Sequence, residues 1–316
     1  MVDHDSVDWP ARFSGLGFAG AEVIGRGMEG EVYSLGDGLV GKVWFRRQRA
    51  ELEPLRGFYT HLSDQRLSFR TPEILDIHEM AGHTVTVERE LSGVPLRDAL
   101  RSGQVTVEQA QHCMLAILAE LRATAAGVSC RALTVIDEDI PAWQGHDTWH
   151  SALSALLDRR VERYGGQLAA SVDGFDELMK RIRLLIEHLP AGPGTIVHGD
   201  LVPANVLVTA DGAPAAVLDW GFLTTEADPA FEASVTAAIF DMYGSEHRTF
   251  DQELLRRLHD QAGYPMTRLL LYRAVYAVLT SNAYDPTGKD GHYDWCAAML
   301  QREDVVAALY ADPSDL

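Results

Sequence analysis

The sequence has few basic residues, few cysteines and no long apolar run. Lys and Arg number 27 against 46 Asp and Glu, so the 316 residues carry a formal net charge of −19. Binding to nucleic acid regardless of its sequence needs a cationic surface that neutralises phosphates, and this charge, with a pI near 4.9, argues against it. An acidic chain is compatible with a small cationic partner, because acidic clefts concentrate cations.

The three cysteines, Cys113, Cys130 and Cys296, are odd in number and far apart. They form neither a C-x-x-C pair nor a disulfide framework, so we expect free thiols in a reducing compartment. The acidic start of the chain lacks the apolar region of a signal peptide. No apolar run approaches the roughly 18 residues of a membrane span, and the apolar stretch 269–280 is broken by Arg273. We therefore expect a cytoplasmic protein that does not enter a membrane.

The N-terminal part of the chain reads mainly as β-structure. Two short runs, 31–35 and 39–45, flank a glycine-containing turn, which is typical of a β-hairpin. A helix is expected over 47–63, with Pro54 in its first turn, and another strand over 84–90. A turn at 93–95 follows that strand, and we place the boundary between two lobes there, at 1–91 and 92–316.

The second lobe, 92–316, reads mainly as helix. Apolar residues recur at helical spacing around 114–121 and again over 175–189. Between later helices, the block 191–222 contains short apolar runs and turn residues, which predicts a small β insertion. The whole pattern predicts an α+β fold with a β-rich first lobe and a helical second lobe that carries one polar hairpin.

Gly25, Gly27, Gly30 and Val32 form the pattern G-x-G-x-x-G-x-V. Glycines at this spacing allow the backbone to approach a polyphosphate and to offer N–H groups to its oxygens. A Rossmann dinucleotide site would need a helix after the glycines. Here another strand follows, so a β-hairpin over the phosphates of ATP fits better. The alternative is an ordinary glycine-rich turn.

Lys42 stands on the returning strand between apolar residues. A charge in such surroundings requires an anionic partner, which in a phosphate site is the triphosphate plus a carboxylate that holds the amine. The candidates are Glu51 and Glu53, and we choose Glu51 because it is in helical phase with the apolar residues of the following helix. The alternative is a lysine that extends from an edge strand into water.

The segment 206–218 contains two apolar runs around a turn, which predicts a β-hairpin. If Thr209 pairs with Ala215, then Asn205 lies opposite Asp219 at the open end of the hairpin. An amide oxygen and a carboxylate are ligands that suit Mg²⁺, which uses only one or two protein carboxylates.

Asp200 precedes Asn205 on the same loop and can reach beside the metal without binding it. A carboxylate in that place can orient an attacking hydroxyl and accept its proton. The alternative is a loop whose Asp and Asn residues cap helices.

These motifs together resemble the aminoglycoside phosphotransferase group of the protein-kinase-like superfamily over about residues 20–235. The resemblance rests on the glycine pattern, on Lys42, on His198-Gly199-Asp200 with Asn205, and on Asp219-Trp220-Gly221. It implies that Asp200 is the catalytic base, that Asn205 and Asp219 bind Mg²⁺, and that Lys42, with Glu51, holds the phosphates of ATP or GTP. His198 would brace the loop by hydrogen bonds.

The same resemblance identifies 87–93 as the hinge between the lobes, whose backbone, around Glu88 and Glu90, would bind adenine. Two departures from eukaryotic protein kinases imply a small-molecule kinase that is constitutively competent, because the Arg that answers an activation-loop phosphate is missing. Gly199 stands where those enzymes have Arg, and no Ala-Pro-Glu follows Asp219. Glu232 stands where relatives often have Asp.

The acceptor is not specified by these motifs. Acidic residues of the second lobe, Asp241 and Asp294 among them, can bind a polyamine-like antibiotic, and aromatic residues such as Trp295, Tyr243 and Tyr284 can enclose a sugar or a quaternary amine. We therefore expect a phosphotransferase that acts on a hydroxyl of a small cationic molecule, with an aminoglycoside or related antibiotic first. The alternatives are a metabolic kinase (choline, ethanolamine, homoserine, methylthioribose or fructosamine type) and a catalytically silent nucleotide-binding regulator.

Overall fold

The computed structural model describes residues 7–27 and 29–316, and the chain divides into two compact units. The first unit contains the residues up to Gln104 together with Val206–Leu218, and the second contains Val105–Asn205 and Asp219–Leu316. Within the described ranges, no helix has the length and apolar character that crossing a membrane would require.

The first unit holds most of the β-structure. Its elements are α1 (Trp9–Gly15), β1 (Glu22–Arg26), β2 (Gly30–Gly36), β3 (Leu39–Trp44), α2 (Arg49–Ser63), β4 (Ile74–Met80), β5 (His83–Arg89), β6 (Val94–Pro95), α3 (Leu96–Ser102), β8 (Val206–Val208) and β9 (Pro214–Val217). Strands β1 to β5 form an antiparallel sheet in the order β1-β2-β3-β5-β4, and β6, β8 and β9 form a second sheet.

The second unit is helical around one small β-pair. Its elements are α4 (Val107–Arg122), α5 (Val128–Arg131), α6 (Trp149–Ser171), α7 (Phe175–Glu187), β7 (Thr195–Val197), β10 (Thr225–Ala227), α8 (Pro229–Ile239), α9 (His247–Ala262), α10 (Met266–Thr280), α11 (Gly291–Leu300) and α12 (Glu303–Leu309). Helix α10 is buried from Leu269 to Thr280. Arg273 interrupts the apolar sequence but not the helix. Its buried guanidinium donates hydrogen bonds to Asp251 and to the carbonyl of Ser234.

The predicted α+β architecture is confirmed, and so are the hairpin β2–β3, the strand β5 and the helices α4 and α7. The first unit extends beyond residue 91, because Val94 on β6 pairs with Val208 on β8. Pro54 is the sixth residue of α2 and lies beyond its first turn. Cys113, Cys130 and Cys296 are buried free thiols, as the spacing predicted.

The core of the first unit lies between α1 and the five-stranded sheet. Trp9 and Phe13 of α1 pack against Tyr33, Val43 and other buried residues of the strands. The Phe13 ring covers Gly41 so closely that a Cβ added there would lie 2.4 Å from Phe13 Cε1. Only glycine therefore allows α1 to seat on the strand that carries Lys42.

We predict that Gly41→Ala lowers the free energy of unfolding by about 1–3 kcal/mol, because the added methyl group overpacks a closed core. The matched control is Gly57→Ala in α2, where an added Cβ meets nothing within 4 Å and the better helix former should be neutral or stabilising by up to about 1 kcal/mol. Urea unfolding of both variants is the measurement. Equal stability of the two variants would contradict the packing of Phe13 on Gly41.

Candidate active site

The glycine pattern lies on β1, β2 and the turn between them. Gly27 N–H donates to the Gly30 carbonyl oxygen at 2.9 Å, which closes the turn. Gly30 packs on β3, where an added Cβ would lie 2.4 Å from Val43 O, whereas Cβ atoms added at Gly25 and Gly27 would meet nothing within 4 Å. The first two glycines thus leave open space at the turn, and the third permits the close approach of two strands. Met28, inside the motif, lies outside the described residues.

Lys42 pairs with Val32 of β2 and Thr86 of β5 in the sheet. Its Nζ lies 3.6 Å from Glu29 Oε2 and 3.7 Å from the centre of the Trp44 ring, two residues along on the same face. Arg47 donates to the other oxygen of Glu29 at 2.8 Å. The sequence analysis did not single out Glu29. Its position as a carboxylate inside the glycine pattern is the sequence feature that could have identified it as a partner of Lys42.

Glu51 occupies a different place from the one expected for the partner of Lys42. It is exposed, and its Oε2 accepts a hydrogen bond from Gln48 N at 2.8 Å, as part of a capping box at the start of α2. The predicted helical phase is correct, since Leu55, Phe58 and Leu62 are buried, but Glu51 lies in the first turn, where the capping box uses its carboxylate. Glu53, the alternative, pairs with Arg49.

The predicted hinge begins on β5 and continues past its end. Glu88 accepts a hydrogen bond from Thr86 Oγ1 at 2.5 Å. The backbone N–H of Glu90 donates to Gly38 O at 2.9 Å, so this group is already used inside the first unit. Recognition of adenine by the 87–93 backbone stays a prediction, and it needs donors other than the Glu90 N–H.

The loop that carries Asp200 is held by buried polar contacts. His198 is fully buried, its Nδ1 accepts the backbone N–H of Asp200 at 3.1 Å, and its carbonyl accepts from Thr224 Oγ1 at 2.9 Å. Gly199 has φ +76°, and a Cβ there would lie 2.3 Å from Leu223 Cβ. Packing thus requires glycine at the position where protein kinases have Arg.

Glu232 on α8 anchors the same loop. Its Oε2 accepts the backbone N–H of Gly199 at 2.8 Å, and Thr236 Oγ1 lies 3.4 Å from Oε1. Burial raises the pKa of Glu232 to about 7, while the hydrogen bonds from Gly199, His198 and Thr236 act in the opposite direction. The sequence marked Glu232 as a variant position but did not predict this contact.

Asp200, Asn205 and Asp219 are close to one another in the second unit. Asn205 Nδ2 donates to the Asp200 carbonyl oxygen at 3.0 Å and to Asp200 Oδ2 at 3.3 Å. Burial raises the pKa of Asp200 to about 7, and the charge of Asp219 acts in the same direction, whereas the hydrogen bond from Asn205 lowers it. Two carboxylates are thus near each other, one half-buried (Asp200) and one exposed (Asp219).

The hairpin that separates these residues has a different register from the predicted one. Val206 pairs with Val217 and Leu207 with Ala216, so the partners are one residue out of step with the expected pairing of Thr209 and Ala215. An irregularity between Leu207 and Val208 and a turn closed by Thr209 N–H to Ala213 O account for the shift. Asp219 follows the hairpin with φ +62°, a left-handed conformation.

The oxygen atoms at this place fit a divalent cation. The side-chain nitrogen of Asn205 donates to Asp200, so the amide oxygen of Asn205 is the atom that can bind a metal. The carboxylate of Asp219 supplies a second oxygen ligand, whose negative charge suits a cation. In the described part of the chain, no three His, Cys, Asp or Glu side chains are grouped to hold a metal ion. A cation here would need further ligands from a nucleotide and from water.

The proposed acceptor residues lie on later elements of the second unit. Asp241 follows α8, with its carboxylate turned over Gly244, and burial raises its pKa. Asp294 is exposed in the first turn of α11. Trp295 is half-buried and stacks on His292, with ring centroids 6.1 Å apart.

Comparison with known proteins agrees with this arrangement. The model of the phosphotransferase enzyme family matches residues 20–270. Among solved structures, an aminoglycoside phosphotransferase, APH(3'')-Id from Streptomyces rimosus, is similar with TM-score 0.56 and 18% identity, over 89% of this chain and 99% of that one. Macrolide 2'-phosphotransferase MphH from Brachybacterium faecium has TM-score 0.55 and 18% identity, over 92% and 97%.

Aminoglycoside 2'-phosphotransferase-IIIa in its GDP complex has TM-score 0.59 and 14% identity, over 95% of both chains. At these identities the likeness to solved structures shows the fold. A search of curated proteins found no match.

We predict that Glu232→Ala lowers the free energy of unfolding by about 1–3 kcal/mol, because it leaves the buried N–H of Gly199 without an acceptor. Turnover should fall as well, since Asp200 follows directly in the chain. The matched control is Thr236→Val, which removes only the longest contact of Glu232 and should cost less than about 1 kcal/mol. Urea unfolding of both variants tests this, and a stable Glu232→Ala protein would contradict the anchoring role.

Proposed function

The chain belongs to the phosphotransferase enzyme family, and we propose that it is a small-molecule kinase that transfers the γ-phosphoryl group of ATP or GTP to a hydroxyl group. The observation that carries this proposal is the environment of Asp200. Its carboxylate is half-buried, feels the charge of Asp219 and is oriented by the amide nitrogen of Asn205. Such a carboxylate is suited to orient an attacking hydroxyl and to accept its proton.

The first unit would bind the nucleotide. The turn at Gly25 and Gly27 offers backbone without side chains, and the Lys42 amine lies next to a carboxylate that already interacts with two cations. A triphosphate would suit the same cations. Structures of related enzymes contain ADP, GDP or ATP, which supports a nucleoside triphosphate without choosing between adenine and guanine.

Asp219 and Asn205 would hold Mg²⁺, which supplies charge neutralisation at the phosphates when bound. Asp200 keeps its place beside this pair through the Asn205 contact and through the His198 nitrogen that accepts its backbone N–H. His198 and Glu232 are positioning residues, because they act on the backbone of the loop. The chemistry required of the protein is therefore orientation and electrostatic stabilisation.

For the acceptor, we propose an antibiotic that carries an amino sugar. Solved structures of related enzymes contain streptomycin or kanamycin, and another relative is a macrolide phosphotransferase. The sequence analysis favoured a cationic acceptor because of the net charge of −19. Incubation with ATP and Mg²⁺ and a panel of antibiotics, amino alcohols and sugars, followed by mass spectrometry, would identify the phosphorylated product.

We predict that Asp200→Asn reduces phosphoryl transfer by about 10²–10⁴-fold, since the amide cannot accept the hydroxyl proton, while the affinity for ATP stays within about threefold of wild type. The matched control is Asp211→Asn, on the exposed turn between β8 and β9, which should leave both quantities unchanged. Steady-state kinetics and calorimetry supply the numbers. An Asp200→Asn enzyme with near wild-type turnover would refute the assignment of the base.

We also predict that Asp219→Ala removes the dependence of nucleotide affinity on Mg²⁺. The variant loses the only carboxylate proposed to bind the cation, so ATP affinity should be the same with Mg²⁺ and with EDTA. Calorimetry under both conditions is the measurement. If Mg²⁺ still strengthens binding of ATP to Asp219→Ala, the metal is held elsewhere.

A further inference from the structure

An aromatic cluster in the second unit surrounds His292. Tyr284 stacks in parallel on Phe222 with ring centroids 5.8 Å apart, and the edge of His292 meets the Tyr284 ring at 4.9 Å. Tyr243 OH lies 3.2 Å from His292 Nδ1. We call Phe222, Tyr243, Tyr284 and His292 the aromatic wall.

In the aromatic wall, His292 is buried and held in place, whereas Tyr243 and Tyr284 are exposed. His292 is 4% exposed, and it is held by Thr280 Oγ1 at 3.0 Å from Nε2 and by the stacked Trp295. Tyr243 and Tyr284, in contrast, are 68% and 47% exposed. Exposed tyrosines on a rigid support offer a large contact area at a small loss of conformational entropy.

The wall stands close to the proposed base. Phe222 is three residues beyond Asp219 in the chain. Burial and then the negative charge of Asp200 raise the pKa of Tyr284, and the same charge contributes to the raised pKa of Tyr243. Gly199, next to Asp200, packs on Leu223, the neighbour of Phe222, so the wall begins close to the loop of the carboxylate that would receive the acceptor hydroxyl.

Many carboxylates that could bind a polycation are already paired. Asp251 accepts from Arg273 and Arg302, and Asp304 also pairs with Arg302. Asp137 and Glu138 are paired with arginines of α6.

Other acids lie beside the wall residues in the chain. One oxygen of Asp290 caps α11, and Asp285, next to Tyr284, accepts hydrogen bonds from Thr287. The proposed acceptor carboxylates Asp241 and Asp294 are not used in this way.

We propose that the aromatic wall is the acceptor subsite and that it selects a ring-bearing molecule by aromatic contact. The apolar face of a sugar or macrocycle would pack on Tyr284 and Tyr243, and the hydroxyl would point to Asp200. This inference rests on the proposed kinase function. It replaces charge, the feature that the composition suggested, by aromatic contact as the main source of acceptor affinity.

The test compares Tyr284→Ala with Tyr284→Phe, using a macrolide and kanamycin as the probes. For the macrolide, Tyr284→Ala should raise KM by about tenfold with a small change in kcat, because the ring contributes binding rather than chemistry. Tyr284→Phe keeps the ring and should raise KM by less than about threefold. The matched control is Tyr310→Ala, an exposed tyrosine after α12 that contacts Arg181, and it should leave KM unchanged.

Three outcomes would overturn the inference. One is an unchanged KM in Tyr284→Ala, and another is a tenfold preference of the wild-type enzyme for kanamycin over the macrolide, an effect of charge rather than of rings. Either result leaves the kinase function intact. The third is that the wild-type enzyme phosphorylates neither probe nor any member of the wider acceptor panel, which refutes the proposed function together with the subsite.

Discussion

The buried hydrogen bond between Glu232 and the backbone of Gly199 is the contact on which the rest of the site depends. The loop that carries Asp200, the proposed base, has no repeating hydrogen bonds of its own, so its conformation must be imposed by side chains around it. Glu232 provides a fixed acceptor from helix α8, and His198 provides a second one for the next N–H. Glu232 and His198 are both buried, and loss of the Glu232 acceptor would leave the buried N–H of Gly199 unpaired at a cost of about 1–3 kcal/mol.

The conformation of Gly199 follows from the same constraint. A left-handed residue that packs on Leu223 cannot carry a side chain, so the absence of Arg here is a structural requirement of this loop. Activation by phosphorylation in protein kinases acts through that Arg. A chain with glycine at this position lacks the Arg through which that signal acts, and its loop is held by Glu232 instead.

The sequence predicted the parts of this structure that depend on local patterns. Alternating and helical spacing gave the hairpin β2–β3 and the helices α4 and α7, and the glycines gave the turn. The register of β8 and β9 was missed by one residue, because an irregularity at Leu207 and Val208 does not alter the apolar pattern. Glu51 was misplaced because capping and pairing both use a carboxylate near the start of a helix, and only the three-dimensional contacts distinguish them.

The proposed acceptor subsite shows most clearly that the overall composition does not predict the charge of a binding site. A net charge of −19 counts every carboxylate equally, although Asp251, Asp137 and Glu138 are neutralised by arginines within the second unit. Paired charges contribute little to attraction at a distance, so an acidic chain can still present a subsite of modest charge. The surface of the proposed subsite includes the exposed rings of Tyr243 and Tyr284, whose attraction for an acceptor is short-ranged and insensitive to salt. Affinity for the acceptor should then follow the shape and apolar area of its rings more than its number of amines.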